Sequence, residues 1–281
     1  MKRSQISVGN YTYMYYSFDY FLDSMERLGI STIELWGATP HFYAEDASFF
    51  ETQALGKKLA ARGLTVSCVT PEQVMYPINI GAVNRDERAR SIDFFRRHID
   101  VASILGVQRM LVTSGRCNLD EDRNECFSYC VDSLQELGYY AGRRGVTIAF
   151  ETLTREGYDL VVRASESKAV LDAVGDYDHV KAMIDVDESA RFGESPKDFF
   201  ALFGTEKMEH CHFVDGMPGG HLAMGDGVLP MRRYLEELDD AGYEGYISLE
   251  VMNERYYFDP EPAIRQSVEF LRDYADKTER K

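Results

Sequence analysis

Residues 144–152 read RGVTIAFET, and this junction decides the fold. A glycine closes an amphipathic stretch, and a short β-branched, apolar run follows it at once. The glycine suits the left-handed residue that ends a helix, and the run suits a buried strand. The junction recurs as LGISTIELW (28–36), RGLTVSCVT (62–70), LGVQRMLVT (105–113) and, more loosely, AGYEGYISLEV (241–251). Helical periodicity fills the stretches before such junctions: Phe21, Met25 and Leu28 share one face, as do Val131, Leu134, Leu137 and Gly138. Working outward, strands are expected at 5–9, 31–35, 64–69, 107–112, 146–150, 181–185, 208–213 and 246–250. Each is followed by a helical stretch, the last at 261–276. Eight strand–helix units imply right-handed parallel crossovers that close into an α/β fold, the (β/α)8 TIM barrel of about 250 residues. An open doubly wound sheet would bind its ligand behind a glycine-rich turn. No GxGxxG or GxxxxGK[ST] follows the first strand, so the barrel is preferred. No Pro/Ser-rich linker or low-complexity tract marks a boundary, and residues 1–281 are expected to form one domain.

Hydrophobic residues at 44% and charged residues at 28% exclude a disordered chain. Against 31 basic residues stand 47 acidic ones, for a formal charge of −16. Such a surface repels phosphates and anionic lipid, so no nucleic acid and no membrane is expected as partner. No apolar run approaches the ~20 residues that span a bilayer. The N-terminal MKRSQISVGN is followed by no apolar stretch of the signal-peptide kind. Cys68, Cys117, Cys126, Cys130 and Cys211 form an odd set whose spacings match no zinc template. They read as reduced thiols, which suits a cytoplasmic protein.

In an eight-fold barrel the active site is built from the C-terminal strand ends and the loops after them. Strand 5 ends with Glu151 and strand 6 with Asp185. Strand 7 ends with His210 or His212 and then Asp215, and strand 8 with Glu250. A single charged strand end is an ordinary solvated feature. Four in consecutive units, all of metal-ligand type, are much harder to obtain by chance. An oxygen-rich divalent site neutralises three converging acids. One imidazole with three carboxylates suits Mn2+, Co2+, Ni2+ or Mg2+ better than a thiolate-seeking ion. Of His210 and His212, one is expected to face the barrel interior and the other the helices, and Met208 and Phe213 do not decide which.

The set resembles the xylose-isomerase-like sugar isomerases and epimerases, and within them the ketose 3-epimerases of the tagatose, psicose and fructoselysine types. The segments that carry the resemblance are IELWGATPHFY (33–43), VTPEQVMYPINI (69–80), FETLTREGYDLV (150–161), MIDVDE (183–188), HCHFVDG (210–216), HLAMGDGVLP (221–230) and GYEGYISLEV (242–251). It implies a xylose-isomerase-like barrel with Glu151, Asp185, His212 and Glu250 as metal ligands, Mn2+ being the favoured ion. It also makes Glu151 and Glu250 the acid/base pair. Two departures stand out. Glu188 occupies a position where tagatose/psicose-type enzymes carry a histidine, and Pro218 one where they carry a substrate-binding arginine. Both count against an unmodified free ketohexose, and His221 is the candidate for the missing polar contact.

The chemistry follows from the residue types. Inverting a carbinol carbon beside a ketone means removing a weakly acidic proton and returning it on the other face. A divalent ion stabilises the enediolate, and a carboxylate on each side of the substrate plane serves as base and acid. The expected substrate is a small sugar, either a ketose or a fructosamine such as fructoselysine. Trp36 would stack on the sugar or cap the core. His41, Glu72 and Glu188 are candidate substrate contacts, and Arg116 would pair with the acids or hold an anion. Asp215 would hold a ligand or Gly216 in its turn. The aromatic run YTYMYYSFDYF (11–21) would pack the rim or wall the pocket. His98 and His179 read as structural. An aldose–ketose isomerase would use the same site, and a non-catalytic sugar-binding barrel would lack one of the two glutamates. An abasic-site endonuclease needs more metal-binding histidines than six supply, and a basic groove. The resemblance also implies a homodimer or homotetramer, with RYYFDPEP (255–262) and the last helix as a contact.

Overall fold

The computed structural model describes residues 1–74 and 76–278. Met75, within the 69–80 segment, lies outside the described residues, as does the tail 279–281. Eight parallel strands close on themselves in chain order. They are β1 (Ile6–Gly9), β2 (Thr32–Trp36), β3 (Thr65–Thr70), β4 (Arg109–Thr113), β5 (Thr147–Glu151), β6 (Val180–Asp185), β7 (Met208–His212) and β8 (Ile247–Leu249). Closure is made by β8 pairing with β1 through Ile6–Ile247, Ser7–Ser248 and Val8–Leu249.

The helices are α1 (Phe18–Leu28), α2 (Phe49–Ala61), α3 (Arg85–Leu105), α4 (Arg123–Gly142), α5 (Ala164–Val174), α6 (Val186–Ala190), α7 (Pro196–Phe203), α8 (Met231–Asp240) and α9 (Pro260–Thr278). Polar caps start several of them: Ser17 accepts from Tyr20 N, and Asn84 accepts from Asp86 N and Glu87 N. The junction glycines Gly29 and Gly106 take left-handed φ values of 62° and 71°, which stop a helix and release the chain into the next strand. Two helices rather than one follow β6. Asp185 caps the short α6, and Ser195 with Asp198 and Pro196 starts α7 afresh. Among the described residues, no helix is long and apolar enough to cross a membrane.

Side chains alternate along each strand, so residues two apart share a face. Ile148 and Phe150 pack outward in the main core, whereas Ala149 joins Cys68, Leu111 and Met183 in a separate buried cluster inside the barrel. The next inward residues after Ala149 and Met183 are Glu151 and Asp185. The apolar plug thus sits one layer below the acids. All five cysteines are buried free thiols.

Candidate active site

Strand register brings the site together. Asp185 stands opposite His212, and His212 opposite Ser248, two residues before Glu250. Asp185 Oδ1 accepts from the amides of Asp187 (2.8 Å) and Glu188 (2.9 Å) at the head of α6. Its Oδ2 is buried with no hydrogen bond. His212 Nδ1 lies 3.0 Å from Glu151 Oε1, 2.8 Å from Glu250 Oε2 and 3.7 Å from Asp185 Oδ2, yet it makes no aligned hydrogen bond. One ligand atom from each of the four residues falls within 4.8 Å of the others. A ring nitrogen has one in-plane direction to offer and cannot serve three carboxylates. Buried polar atoms are almost always satisfied, and a cation among these four groups would satisfy both orphans at once. The donor set of one nitrogen and three carboxylates fits a hard or borderline divalent ion.

The layer beneath corrects one expectation. His210 and His212 are two apart and therefore share a face, and both are fully buried inside the barrel. Each gives its Nε2 to a different oxygen of Glu34 on β2: His210 to Oε2 at 2.8 Å, His212 to Oε1 at 2.9 Å. Tyr11 OH (3.1 Å) and Thr70 Oγ1 also donate to Glu34 Oε1. The sequence reading passed over Glu34 and the inward placing of His210. The signal was available, since a carboxylate interrupts the otherwise apolar run of β2.

Above the quartet opens a cleft walled by Trp36, Glu72, Glu151, Glu188, His221 and Glu250, with Tyr11 and Met252 beside them. Trp36 Nε1 donates to Glu72 Oε2 at 2.9 Å, which fixes the indole against the wall. His221 has a positive φ of 46°, held by the hydrogen bond its backbone N–H donates to Asp187 Oδ2 (3.0 Å). This conformation aims Nε2 at Asp185 Oδ2 (3.3 Å) and Glu250 Oε2 (3.5 Å). Asp187 also accepts from Gly219 N, which makes it the anchor of that loop. Asp215 accepts from the amides of Gly216, Gly225, Gly227 and Leu229, and so builds the turn rather than touching the quartet.

Two expected contacts stand apart from the cleft lining. His41 bonds to Asn10 Nδ2 (2.7 Å) and to the carbonyls of Tyr13 and Tyr16, and it packs on Phe18. Its ring nitrogens are used in holding the β1 loop. Arg116 turns its backbone to Asn79, whose side chain binds both its N–H and its C=O.

The electrostatics divide the two glutamates. Burial pushes the Glu151 carboxyl up to about 8, only partly offset by His212. Burial acts on Glu250 too, but His212 and His221 outweigh it and hold the group down at about 2. Glu34 is likewise held well below the carboxylate range, its burial overcome by His212 and His210. Glu188 is pushed up to about 7 by burial, against the pull of His221. A bound cation would favour the ionised form of every carboxylate around it.

A closed eight-stranded barrel with a carboxylate–imidazole quartet at its C-terminal mouth defines a class. The chain belongs to the xylose isomerase-like TIM barrel family, whose model matches residues 22–274. Among its relatives is the fructoselysine 3-epimerase of Shigella flexneri, 27% identical over 262 residues, covering 92% of this chain and 94% of that protein. The fructoselysine 3-epimerase of Escherichia coli O157:H7 is 27% identical over 254 residues, or 90% and 91% of the two chains. The solved structure of an L-ribulose 3-epimerase superposes with a TM-score of 0.82 at 16% identity, covering 100% of this chain and 96% of that one.

Proposed function

We propose that the protein is a divalent-metal-dependent ketose 3-epimerase, an isomerase that acts on a ketose or a fructosamine such as fructoselysine. The observation that carries this reading is the quartet of Glu151, Asp185, His212 and Glu250 on the cleft floor, with its two buried atoms left without hydrogen bonds. The two fructoselysine 3-epimerases that match over nine-tenths of the chain support the substrate class. A bound divalent cation, Mn2+ in the first instance, supplies Lewis-acid stabilisation of the enediolate oxygens. Glu151 and Glu250 do the proton work. One carboxylate takes the proton from C3, and the carboxylic acid on the other side of the sugar plane returns a proton to the opposite face. The base in one direction is the acid in the other, because the two carboxyls titrate as a coupled unit. Trp36 offers a flat apolar surface for a sugar face, and Glu72, Glu188 and His221 offer polar contacts for its hydroxyls.

Glu72 and Glu188 line the cleft and, among the described residues, no lysine or arginine does. That lining favours a neutral or amine-bearing sugar over a phosphorylated one. The reading takes the chain as one barrel domain.

The test is incubation of the Mn2+-loaded protein with a panel of ketoses and fructosamines in D2O, followed by NMR. Deuterium at C3 with inversion is the expected result. Deuterium at C1 or C2 would make the protein an aldose–ketose isomerase, and no incorporation with any sugar would overturn the enzyme reading.

A further inference from the structure

Glu34 is a fully buried carboxylate of the barrel interior that the proton chemistry does not use. Its two oxygens are filled by four donors from three different segments: Tyr11, Thr70 on β3, and His210 and His212 on β7. Glu34, His210 and His212 could themselves be read as a cation site, since their ligand atoms also lie within 4.8 Å of one another. The hydrogen bonds argue otherwise. Both histidine nitrogens facing Glu34 have their acceptor, at 2.8 and 2.9 Å, and neither Glu34 oxygen is left without a partner. The quartet's own orphaned atoms lie on the other side of His212, at Nδ1 and at Asp185 Oδ2, while His210 Nδ1 is a further buried atom without a hydrogen bond.

We infer that Glu34 is a positioning residue for the metal: it accepts the Nε2–H of His212 and thereby turns the Nδ1 lone pair into the quartet. A neutral imidazole carries one N–H, and the group that accepts it decides which nitrogen is free to ligate. His210 fills the second oxygen of Glu34 and keeps the carboxylate from rotating off His212. Val8–Ile33 and Gly9–Glu34 pairing sets Glu34 at the level of this second layer, so its reach to β7 across the barrel is fixed by the fold. The inference rests on the reading of the quartet as a cation site, and the experiment separates the two.

Metal-free protein is titrated with Mn2+ by calorimetry, comparing the native sequence with Glu34→Gln, Glu34→Asp and Asp185→Asn. Native protein is expected to bind one Mn2+, and Asp185→Asn to lose binding outright. Glu34→Gln is expected to weaken binding about 10–100-fold, the usual effect of removing a carboxylate behind a ligating histidine. Glu34→Asp keeps the charge but shortens the reach, and is expected to weaken binding in the same direction; it serves if the Gln variant does not fold. In the Zn2+-loaded protein the His212 Nε2–H should exchange slowly with solvent, and Glu34→Gln should speed that exchange. A folded Glu34 variant with native Mn2+ affinity and native exchange would overturn the inference while leaving the quartet standing. Loss of binding in Glu34→Gln as complete as in Asp185→Asn would make Glu34 a ligand and also overturn it. Native protein that binds no Mn2+ would overturn the cation reading itself.

Discussion

The two ends of the barrel bury charge in opposite ways. At the N-terminal end Glu209, early in β7, is clamped between Arg109 Nε at 2.9 Å and Lys181 Nζ at 3.4 Å. Arg109 also lies over the Tyr246 ring, and the chain's own amino terminus pairs with Asp239. Opposite charges meet, and Glu209 ties β7 both to its neighbour β6 and to the more distant β4. At the C-terminal end Glu151, Asp185 and Glu250 converge on a single histidine, with Glu72, Glu188 and His221 above and, among the described residues, no lysine or arginine in the lining. Like charges gathered without permanent cations cost stability, and such arrangements mark functional sites. The lower end is arranged for stability and the upper end for chemistry.

The sharpest way to break this contrast is at the upper end. Glu151→Gln and Glu250→Gln should each lower turnover by about 10^2–10^4-fold, the usual worth of a positioned acid or base. Glu151→Gln should not lower the thermal midpoint, since burial and the neighbouring acids oppose that charge, whereas Glu250→Gln gives up the pull of His212 and His221 and should lower it. Deuterium incorporation at C3 and melting by circular dichroism measure both, and turnover retained in either variant would refute the two-carboxylate scheme.

A third mode of burial sharpens the contrast. His98 on α3 is fully buried, donates Nδ1–H to the Phe94 carbonyl at 2.9 Å, and is held at about 4 by desolvation. The unfolded chain takes up a proton near 6.5, and the folded protein only near 4. The stabilising contribution is therefore complete above pH 6.5 and is lost as the pH falls towards 4. It amounts to roughly 3 kcal/mol. Urea unfolding across that window should flatten in His98→Gln.

Metal addition should reverse the cost of the upper end. Mn2+ at a hundred times its dissociation constant should stabilise the chelator-treated protein by about 2.7 kcal/mol. It should also restore C3 exchange. An unchanged melting curve would count against the quartet as a cation site. The smallest effect is expected below: Glu209→Gln leaves Arg109 and Lys181 unmatched and should cost about 1–3 kcal/mol. Turnover should be untouched, and a fall in kcat would show that the two ends are coupled.

The strands were legible because a glycine-punctuated apolar run is a local pattern. Expected and observed strand limits differ by at most two residues, as at Arg109, and by one at Thr147. Glu151, Asp185 and Glu250 were legible for the same reason: each closes an apolar run, and barrel topology assigns such ends to the mouth. His41 and Arg116 sit in the loops expected to carry substrate contacts, yet both stand outside the lining of the cleft. Loop position in sequence carries no direction in space.

The sequence by itself determined the alternation of strands and helices, and with it the ring of acids, because both depend on neighbours within a few residues. Tertiary structure alone decided the rest. Glu34 meets His212 across 178 residues of chain, a contact that exists only when eight strands close with one register. His221 reaches Asp185 and Glu250 only because Asp187 holds its loop in a left-handed turn. Those contacts depend on closure and register, which no local pattern encodes.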